Sequence, residues 1–432
     1  MTARQTLALL RQYESRNVMF SEPDGSWPIV WERAKGVHVW DTDGKKYLDL
    51  TAAFGVAAAG HANPNVVRAG QKQMARLLHA MGDVHPHALK AKLAQALSRL
   101  TFGRWAKGHR GSSKVIFSNS GFEAVETALK TAMLATGKPG IIAFEGGYHG
   151  LGYGALNATH RGHFRDPFRL QLKEFGHFVK FPEAEKDLPS LEKSLRQVFR
   201  RQKIGAILAE PIQARGGMNV PPAGFLPLLR KLCDESGALL VLDEIYTGFG
   251  RTGRWFACEH SGVIPDLVCL GKALTGGFPL SACVGRAGLM DTAWPTSDGE
   301  AIHTSTFLGH PVGCAMALAE ISEIRRLKLC ARSAALGEFL LAELAKAQGP
   351  RSGAVWAARG IGLMAGLELT LPDGKPATQL ALGAIKQLLQ RGYIFLPEGA
   401  HANVISFTPP LTITQTQLAK AVAELKDVLA AD

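Results

Sequence analysis

The stretch LLVLDEIYTGFGRTGRWFACEHSGVIPDLVCLGKALTGG, residues 239–277, decides the fold. Residues 238–242 (Ala-Leu-Leu-Val-Leu) form a short, continuous apolar run between Gly237 and the pair Asp243-Glu244. That is the pattern of a strand buried on both faces. A second such run, Leu-Val-Cys-Leu at 267–270, stops at Gly271-Lys272. Open α/β sheets bind ligands beyond the carboxyl ends of their strands, so Asp243 and Lys272 are expected to face one crevice. A lysine partly desolvated there has a lowered pKa and can attack an aldehyde, which suits an amine-handling cofactor. The competing reading is a buried Asp243–Lys272 ion pair, a weak source of stability.

DEIYTGFGRTG followed by PDLVCLGKALTGG resembles the signature of the class III (subgroup II) aminotransferases, and the resemblance runs from Tyr47 to about Ile413. It implies a fold-type-I pyridoxal-phosphate (PLP) enzyme of α/β class. The large domain would hold a mostly parallel seven-stranded sheet, and a smaller α+β domain would come from the N- and C-terminal segments. The expected boundaries are 1–60 for the N-terminal segment of the small domain, 61–315 for the large PLP-binding domain and 316–432 for the C-terminal small domain. By the same resemblance Lys272 forms the internal aldimine, and Asp243 pairs with the pyridine nitrogen. A carboxylate there keeps that nitrogen protonated, so the ring can accept the electrons of a substrate carbanion.

The whole chain is consistent with an ordinary globular enzyme. Its 432 residues allow a large core and two or three domains, and 46% hydrophobic with 20% charged residues is typical composition. Near the start the apolar run at 7–10 is too short for a secretory segment, and no later stretch reads as a membrane span, so a cytoplasmic location is expected. Cys233, Cys258, Cys269, Cys283, Cys314 and Cys330 form no CxxC pair, which fits reduced thiols, and no metal site is expected. The formal charge of +12 draws on clusters such as Arg200-Arg201 and Arg325-Arg326. These lack interleaved aromatics or a nucleic-acid module, so a solvated basic face is expected, with no nucleic-acid or membrane partner. An acidic substrate or carrier protein stays open.

Taken in order, the chain begins with a short helix and the turn-rich residues 21–28. Residues 37–40 and 46–50 then read as a hairpin around Asp41-Thr42-Asp43-Gly44. Phe54, just beyond, is a pocket candidate by the resemblance and equally a plain core aromatic. Residues 64–105 carry helical periodicity through Leu77, Leu78, Leu89, Leu93, Leu97 and Leu100.

A strand at 114–117, a turn at 118–121 and a helix from Phe122 make an anion site, because unpaired amides and the positive end of the helix dipole point at the ligand. The helix is expected to bury Val125, Ala128, Leu129, Ala132 and Met133. With the resemblance, Ser120, Gly121 and Phe122 become the phosphate cup. Phe122 stands where the family commonly has a small residue, and its ring is expected to narrow the pocket. A strand at 141–144 leads to Tyr148, which the resemblance stacks on the cofactor ring, and to His149, either a hydrogen-bonding support or a structural histidine. Residues 160–200 read as a surface excursion.

Residues 206–213 match the family's EPxQ strand end, with Glu210 supporting the cofactor. Arg215 stands where many glutamate-using members carry a glutamate, reversing the charge. A helix at 225–236 leads into the central stretch, where Ile245 is expected to pack opposite Tyr148 and Tyr246 to lie beside the cofactor's phenolic oxygen. A further strand follows at 281–285. Residues 303–311 resemble the STFxGNP motif, with His310 for its asparagine. The resemblance has Thr306 reaching the partner subunit's phosphate, so the active sites of a homodimer would be shared.

Helices are expected from 312 through 348, a strand at 361–369, and a last helix opened by a Thr414/Gln417 capping box that buries Leu418, Val422, Leu425 and Val428. The family commonly has an arginine where Ser406 stands, pairing with a substrate α-carboxylate. Losing that pair costs an acid substrate on the order of 2–5 kcal/mol unless something compensates. These features imply an aminotransferase with a ping-pong cycle between small-molecule amines and keto acids, without the standard glutamate clamp. The alternative is an aminomutase or racemase on the same fold.

Overall fold

The computed structural model describes residues 1–22, 25–106, 112–346 and 353–431. Residues 23 and 24 of the expected turn and 347 and 348 of the expected helical segment lie outside the described residues. Three strands come first: β1 (Trp31–Lys35), β2 (His38–Asp41) and β3 (Lys46–Asp49). Seven follow: β4 (Ser113–Ser118), β5 (Gly140–Phe144), β6 (Gly176–Val179), β7 (Ile204–Ala209), β8 (Leu239–Asp243), β9 (Leu267–Leu270) and β10 (Ser281–Arg286). The last five are β11 (Val355–Ile361), β12 (Met364–Thr370), β13 (Tyr393–Ile394), β14 (Leu396–Glu398) and β15 (Val404–Phe407).

Strands β4 to β10 make one seven-stranded sheet in the order β4-β10-β9-β8-β7-β5-β6, parallel except at β10. The two smaller sheets are β1-β2-β3-β13 and β11-β12-β15-β14, so β13 joins N-terminal and C-terminal chain in one sheet.

The period of two in a strand explains why the central runs are continuously apolar. Leu240, Leu242, Val268 and Leu270 face one core, while Val241, Leu267 and Cys269 face the other. On that second side lies the helix Gly121–Thr136, packing Ala124, Val125, Ala128, Leu129 and Ala132 onto the sheet. With both faces covered, no polar residue is tolerated until the strands end, at Asp243 and just before Lys272.

Several expectations are corrected. Met133 is exposed, on the outer edge of its helix. The segment 77–87 is not helical, and Leu77 and Leu78 are exposed. The excursion at 160–200 contains β6, an edge strand of the central sheet, and the helix Leu188–Arg201. The single strand at 361–369 is two, because the chain reverses at Gly362 (φ +61), where a Cβ would come 2.8 Å from the Arg251 carbonyl oxygen. The final helix does begin with the Thr414/Gln417 box, Gln417 N donating to Thr414 Oγ1 at 3.2 Å and Thr414 N to Gln417 Oε1 at 2.9 Å. Among the described residues no helix is long and apolar enough to cross a membrane.

A buried acid ties the site's two approaches together. Glu320, on the helix Pro311–Arg326, accepts a hydrogen bond from Ala59 N at 2.9 Å and abuts Gly276, just beyond Lys272. Burial pushes its pKa up to about 8, against the opposing Ala59 bond. A folded-state pKa raised above the ordinary 4.5 means stability that is full below that value and is lost as pH rises toward 8. At about 1.4 kcal/mol per unit, the loss is on the order of 5 kcal/mol. Urea unfolding of E320Q is expected to show a flatter pH dependence between pH 6 and 8.5 than the parent. Equal slopes would mean that Glu320 is not the group responsible.

Candidate active site

The carboxyl ends of β4, β5, β7, β8 and β9 converge on one cavity of about 610 Å³, within the ordinary range for a small-molecule site. Its walls include Phe54, Gly121, Phe122, Tyr148, Glu210, Arg215, Asp243, Ile245, Tyr246 and Lys272, all named from the sequence. Three expected residues stand apart. Thr306 is exposed on a loop outside the cavity. Ser406, in β15, is buried with its hydroxyl donating to the Leu396 carbonyl at 2.9 Å. Ser120 lies behind the wall, its amide (2.7 Å) and hydroxyl (3.1 Å) both donating to Glu123 Oε2. The capping box that starts the helix thus occupies Ser120, leaving the cavity-lining Gly121 and Phe122 as the helix's approach to an anion.

Asp243 is buried and doubly held. Its Oδ2 lies 2.8 Å from His149 Nδ1, and its Oδ1 accepts from Ile245 N at 3.1 Å. Burial disfavours a charged imidazole at His149, but the Asp243 hydrogen bond and charge, with Glu210, outweigh it, so its pKa is raised. The structure thereby makes His149 the support of Asp243. Glu210 accepts from Tyr148 N and Ala214 N, each at 3.0 Å, and fixes the backbone on both sides of the cavity. Its pKa is pushed up to about 7, chiefly by burial and also by Asp243, against His149.

Lys272 sits in the tight turn after β9 with φ +42, and the surface it keeps opens on the cavity. It makes no salt bridge among the described residues, so the Asp243–Lys272 ion pair is not formed. Burial lowers its pKa, with Asp243 and Glu210 opposing in part. Its Nζ stands 4.6 Å from the centre of the Tyr246 ring. The Tyr246 hydroxyl lies 3.2 Å from Thr408 Oγ1.

The phenyl ring of Phe122 is accommodated by glycines. A Cβ at Gly150 would come 2.3 Å from Phe122 Cβ, and one at Gly152 would come 2.5 Å from its Cδ2. Phe54 is 49% exposed at the cavity rather than in the core. It belongs to a left-handed turn, Ala52 (φ 47), Ala53 (φ 50), Phe54 (φ 61) and Gly55 (φ 77). Each non-glycine residue held there costs about 1 kcal/mol or more, so packing must enforce the turn. At Gly55 a Cβ would lie 2.8 Å from Tyr246 Cε1. Gly55→Ala is therefore expected to destabilise by about 1–3 kcal/mol and to lower the melting temperature. An unchanged melt would show that Tyr246 yields freely.

These residues fit a PLP-type cofactor by their chemistry: a partly buried lysine with no salt bridge among the described residues, an anchored carboxylate, an aromatic wall and a helix N-terminus meet at one cavity. The fold and site together define an enzyme of the fold-type-I transaminase kind. The comparisons with known proteins agree. A model of the class-III aminotransferases matches residues 19–429. Acetylornithine aminotransferase of Methanosarcina mazei is 37% identical over 93% of this chain and 92% of its own. Putrescine aminotransferase of Pectobacterium atrosepticum is 39% identical over 94% and 83%, and 5-aminovalerate aminotransferase of Pseudomonas aeruginosa 36% over 93% and 93%. Among solved structures, a transaminase from the marine bacterium Virgibacillus superposes with TM-score 0.87 at 27% identity, covering 99% and 98% of the two chains. A PLP-bound amine transaminase from an uncultivated Pseudomonas species gives 0.86 at 29%, covering 97% and 98%. The chain belongs to the class-III aminotransferase family, and it is a PLP-dependent aminotransferase.

Two residues near the cavity escaped the sequence reading. Glu398, at the end of β14, lies behind Arg215, and Arg161 lies on the segment read as a surface excursion. Neither stands in a motif: Glu398 meets Arg215, and Arg161 packs on Phe164, only through the tertiary fold.

Proposed function

We propose that this enzyme moves the amino group of an amine lacking an ordinary α-carboxylate, or of an acid held by Arg215, to a keto acid or aldehyde in a ping-pong cycle. The observation that carries this reading is the charge at the substrate end of the cavity. Arg215 lines the wall, and Ser406, where the family commonly has an arginine, is buried and hydrogen-bonded to backbone. The relatives' names point the same way, since putrescine has no carboxylate and 5-aminovalerate carries its amine at the opposite end from its acid.

Bound in the cavity, PLP supplies the aldehyde that takes up the amino group and the ring that takes up the substrate's electrons. Lys272, kept toward its neutral form by burial, serves as the nucleophile that holds the cofactor and as the base that moves the proton. Asp243, fixed by His149 and the Ile245 amide, would hold a proton at the cofactor's ring nitrogen. Of the residues lining the cavity, Tyr148 and Ile245 would bound the cofactor, Gly121 and Phe122 would receive its phosphate at the helix N-terminus, and Tyr246 would serve its phenolic oxygen.

Residues 61–315 are assigned to the large domain, and 1–60 with 316–432 to the small one, in keeping with the three sheets. The active site is proposed to be completed by a second copy through Thr306. Supporting this, exposed Leu77, Leu78, Met81, Ile302 and Phe307 lie on two segments joined by the His79–Phe307 ring contact at 5.3 Å and the Thr304–Asp83 hydrogen bond at 2.5 Å.

The test is a half-reaction screen on holoenzyme, following loss of the lysine-bound cofactor's absorbance as single amines are added. Conversion by ω-amines but not by glutamate is expected. Rapid conversion by glutamate would overturn the reading of Arg215 and Ser406. Turnover that leaves no aminated cofactor behind would point to a mutase or racemase.

A further inference from the structure

Three histidines fasten the segment 303–310, and each does so with Nδ1 as an acceptor. His87 is the N-cap of the helix Ala88–Leu100: its Nδ1 accepts from Lys90 N at 3.3 Å, and its Nε2 lies 2.7 Å from the Gly309 carbonyl oxygen. His310 is the N-cap of the helix Pro311–Arg326, with Val312 N donating to its Nδ1 at 3.2 Å. His303 Nδ1 lies 3.2 Å from Lys130 Nζ, and its Nε2 lies 3.2 Å from Thr127 Oγ1, both partners being on the helix Gly121–Thr136.

The partners decide the protonation. A backbone amide and an ammonium only donate, and a carbonyl oxygen only accepts. Thr127 Oγ1 gives its own proton to the Glu123 carbonyl at 2.9 Å and so accepts from His303. His87 and His303 are therefore neutral imidazoles protonated at Nε2, and His310 likewise leaves Nδ1 bare. A second proton would set donor against donor at all three. It would also meet the positive end of a helix dipole at His87 and His310, and an ammonium at His303.

The surrounding charges act in the same sense. Burial and then Lys130 lower the pKa of His303, with Glu123 opposing. Burial lowers that of His310, followed by His79, whose ring stacks on it at 6.0 Å, and by His87. Beside His87 stands Lys90, whose own charge faces Cys314 and Asp83. Folded-state values below the ordinary 6.5 mean that the fastening is fully present above that pH and is lost as pH falls from there.

We propose that His87, His303 and His310 are positioning residues for the segment 303–310, holding it only as neutral imidazoles, so that proton uptake releases it. His310 stands where the family motif has an asparagine, a side chain that can accept but cannot titrate. Because the segment carries Thr306, its release would also free the second copy's cofactor, a consequence that rests on the reading of Thr306 given above.

Hydrogen exchange of the holoenzyme, followed by mass spectrometry, reads the segment in the peptides that carry the amides of Lys90, Leu308 and Val312. Relative to the intrinsic rate at each pH, their protection is expected to fall about 10- to 100-fold between pH 6.5 and 5.5, a factor of about ten per unit for each proton taken up. In H87N/H303N/H310N, asparagine keeps an acceptor near each Nδ1 and does not titrate. Protection there is expected to match the parent's at pH 8 and to stay flat down to pH 5.5. Flat protection in the parent would overturn the proposal whether or not the variant folds, as would a variant that loses protection in step with the parent. Gel filtration of the same holoenzyme at pH 5.5 reads cofactor release separately. A released segment with the cofactor retained would uphold the role of the histidines and overturn the reading of Thr306.

Discussion

Replacement of Lys272 by alanine is expected to release the cofactor from covalent attachment and to lower the half-reaction rate by on the order of 10³–10⁴-fold. The size follows from two roles in one amine. As nucleophile, Lys272 would hold the cofactor, and as base it would move the proton, both roles proposed above for this one amine. Both call for an unprotonated nitrogen, and burial acts in that direction by lowering the lysine's pKa. Among the described residues no other lysine lines the cavity to take over. Borohydride reduction followed by mass measurement reads the attachment independently of turnover, with the parent chain gaining the cofactor's mass and K272A not. If K272A still traps the cofactor, or keeps near-parental rates, another group performs these steps.

Why that residue was legible while others were not is a matter of locality. Asp243 and Lys272 each follow an apolar run directly, so the sequence around them states both the strand and its end. Gly121 and Phe122 likewise lie where one strand gives way to a helix. The surroundings of Arg215 are different, because Glu398 arrives from a separate element and nothing in its neighbourhood marks it.

The misread segments have the same kind of cause. β6 (Gly-His-Phe-Val) is an edge strand, half-covered, and lacks the apolar continuity of its neighbours. The run Ile-Gly-Leu-Met-Ala-Gly-Leu-Glu-Leu reads as one strand because the turn itself is buried, with Leu363 and Met364 both 0% exposed. The left-handed turn at 52–55 gives no sign before Gly55, since Ala-Ala-Phe is unremarkable for any backbone. Its conformation is imposed by packing.

The second large effect is expected at Asp243. D243N keeps the shape of the side chain and the bond from Ile245 N but removes the charge that faces both His149 and the cavity. Breaking a buried charge pair by removing one partner costs on the order of 3–5 kcal/mol, which, if it falls on the transition state, slows the half-reaction by about 10²–10⁴-fold. H149Q should cost less. It leaves the carboxylate in place and deletes one hydrogen bond to a charged group, about 1.5–3 kcal/mol or about 10- to 100-fold.

The two changes act on one unit and should not add, so D243N/H149Q is expected to fall close to D243N alone. The His149 pKa gives an independent check. Asp243 and Glu210 hold it up against burial, so D243N should drop the imidazole toward its neutral form, visible in its nuclear magnetic resonance titration. If instead H149Q is as slow as D243N, the charge that matters is not the carboxylate's alone but that of the hydrogen-bonded pair, and His149 must be counted with Asp243 as the group that keeps the ring nitrogen protonated.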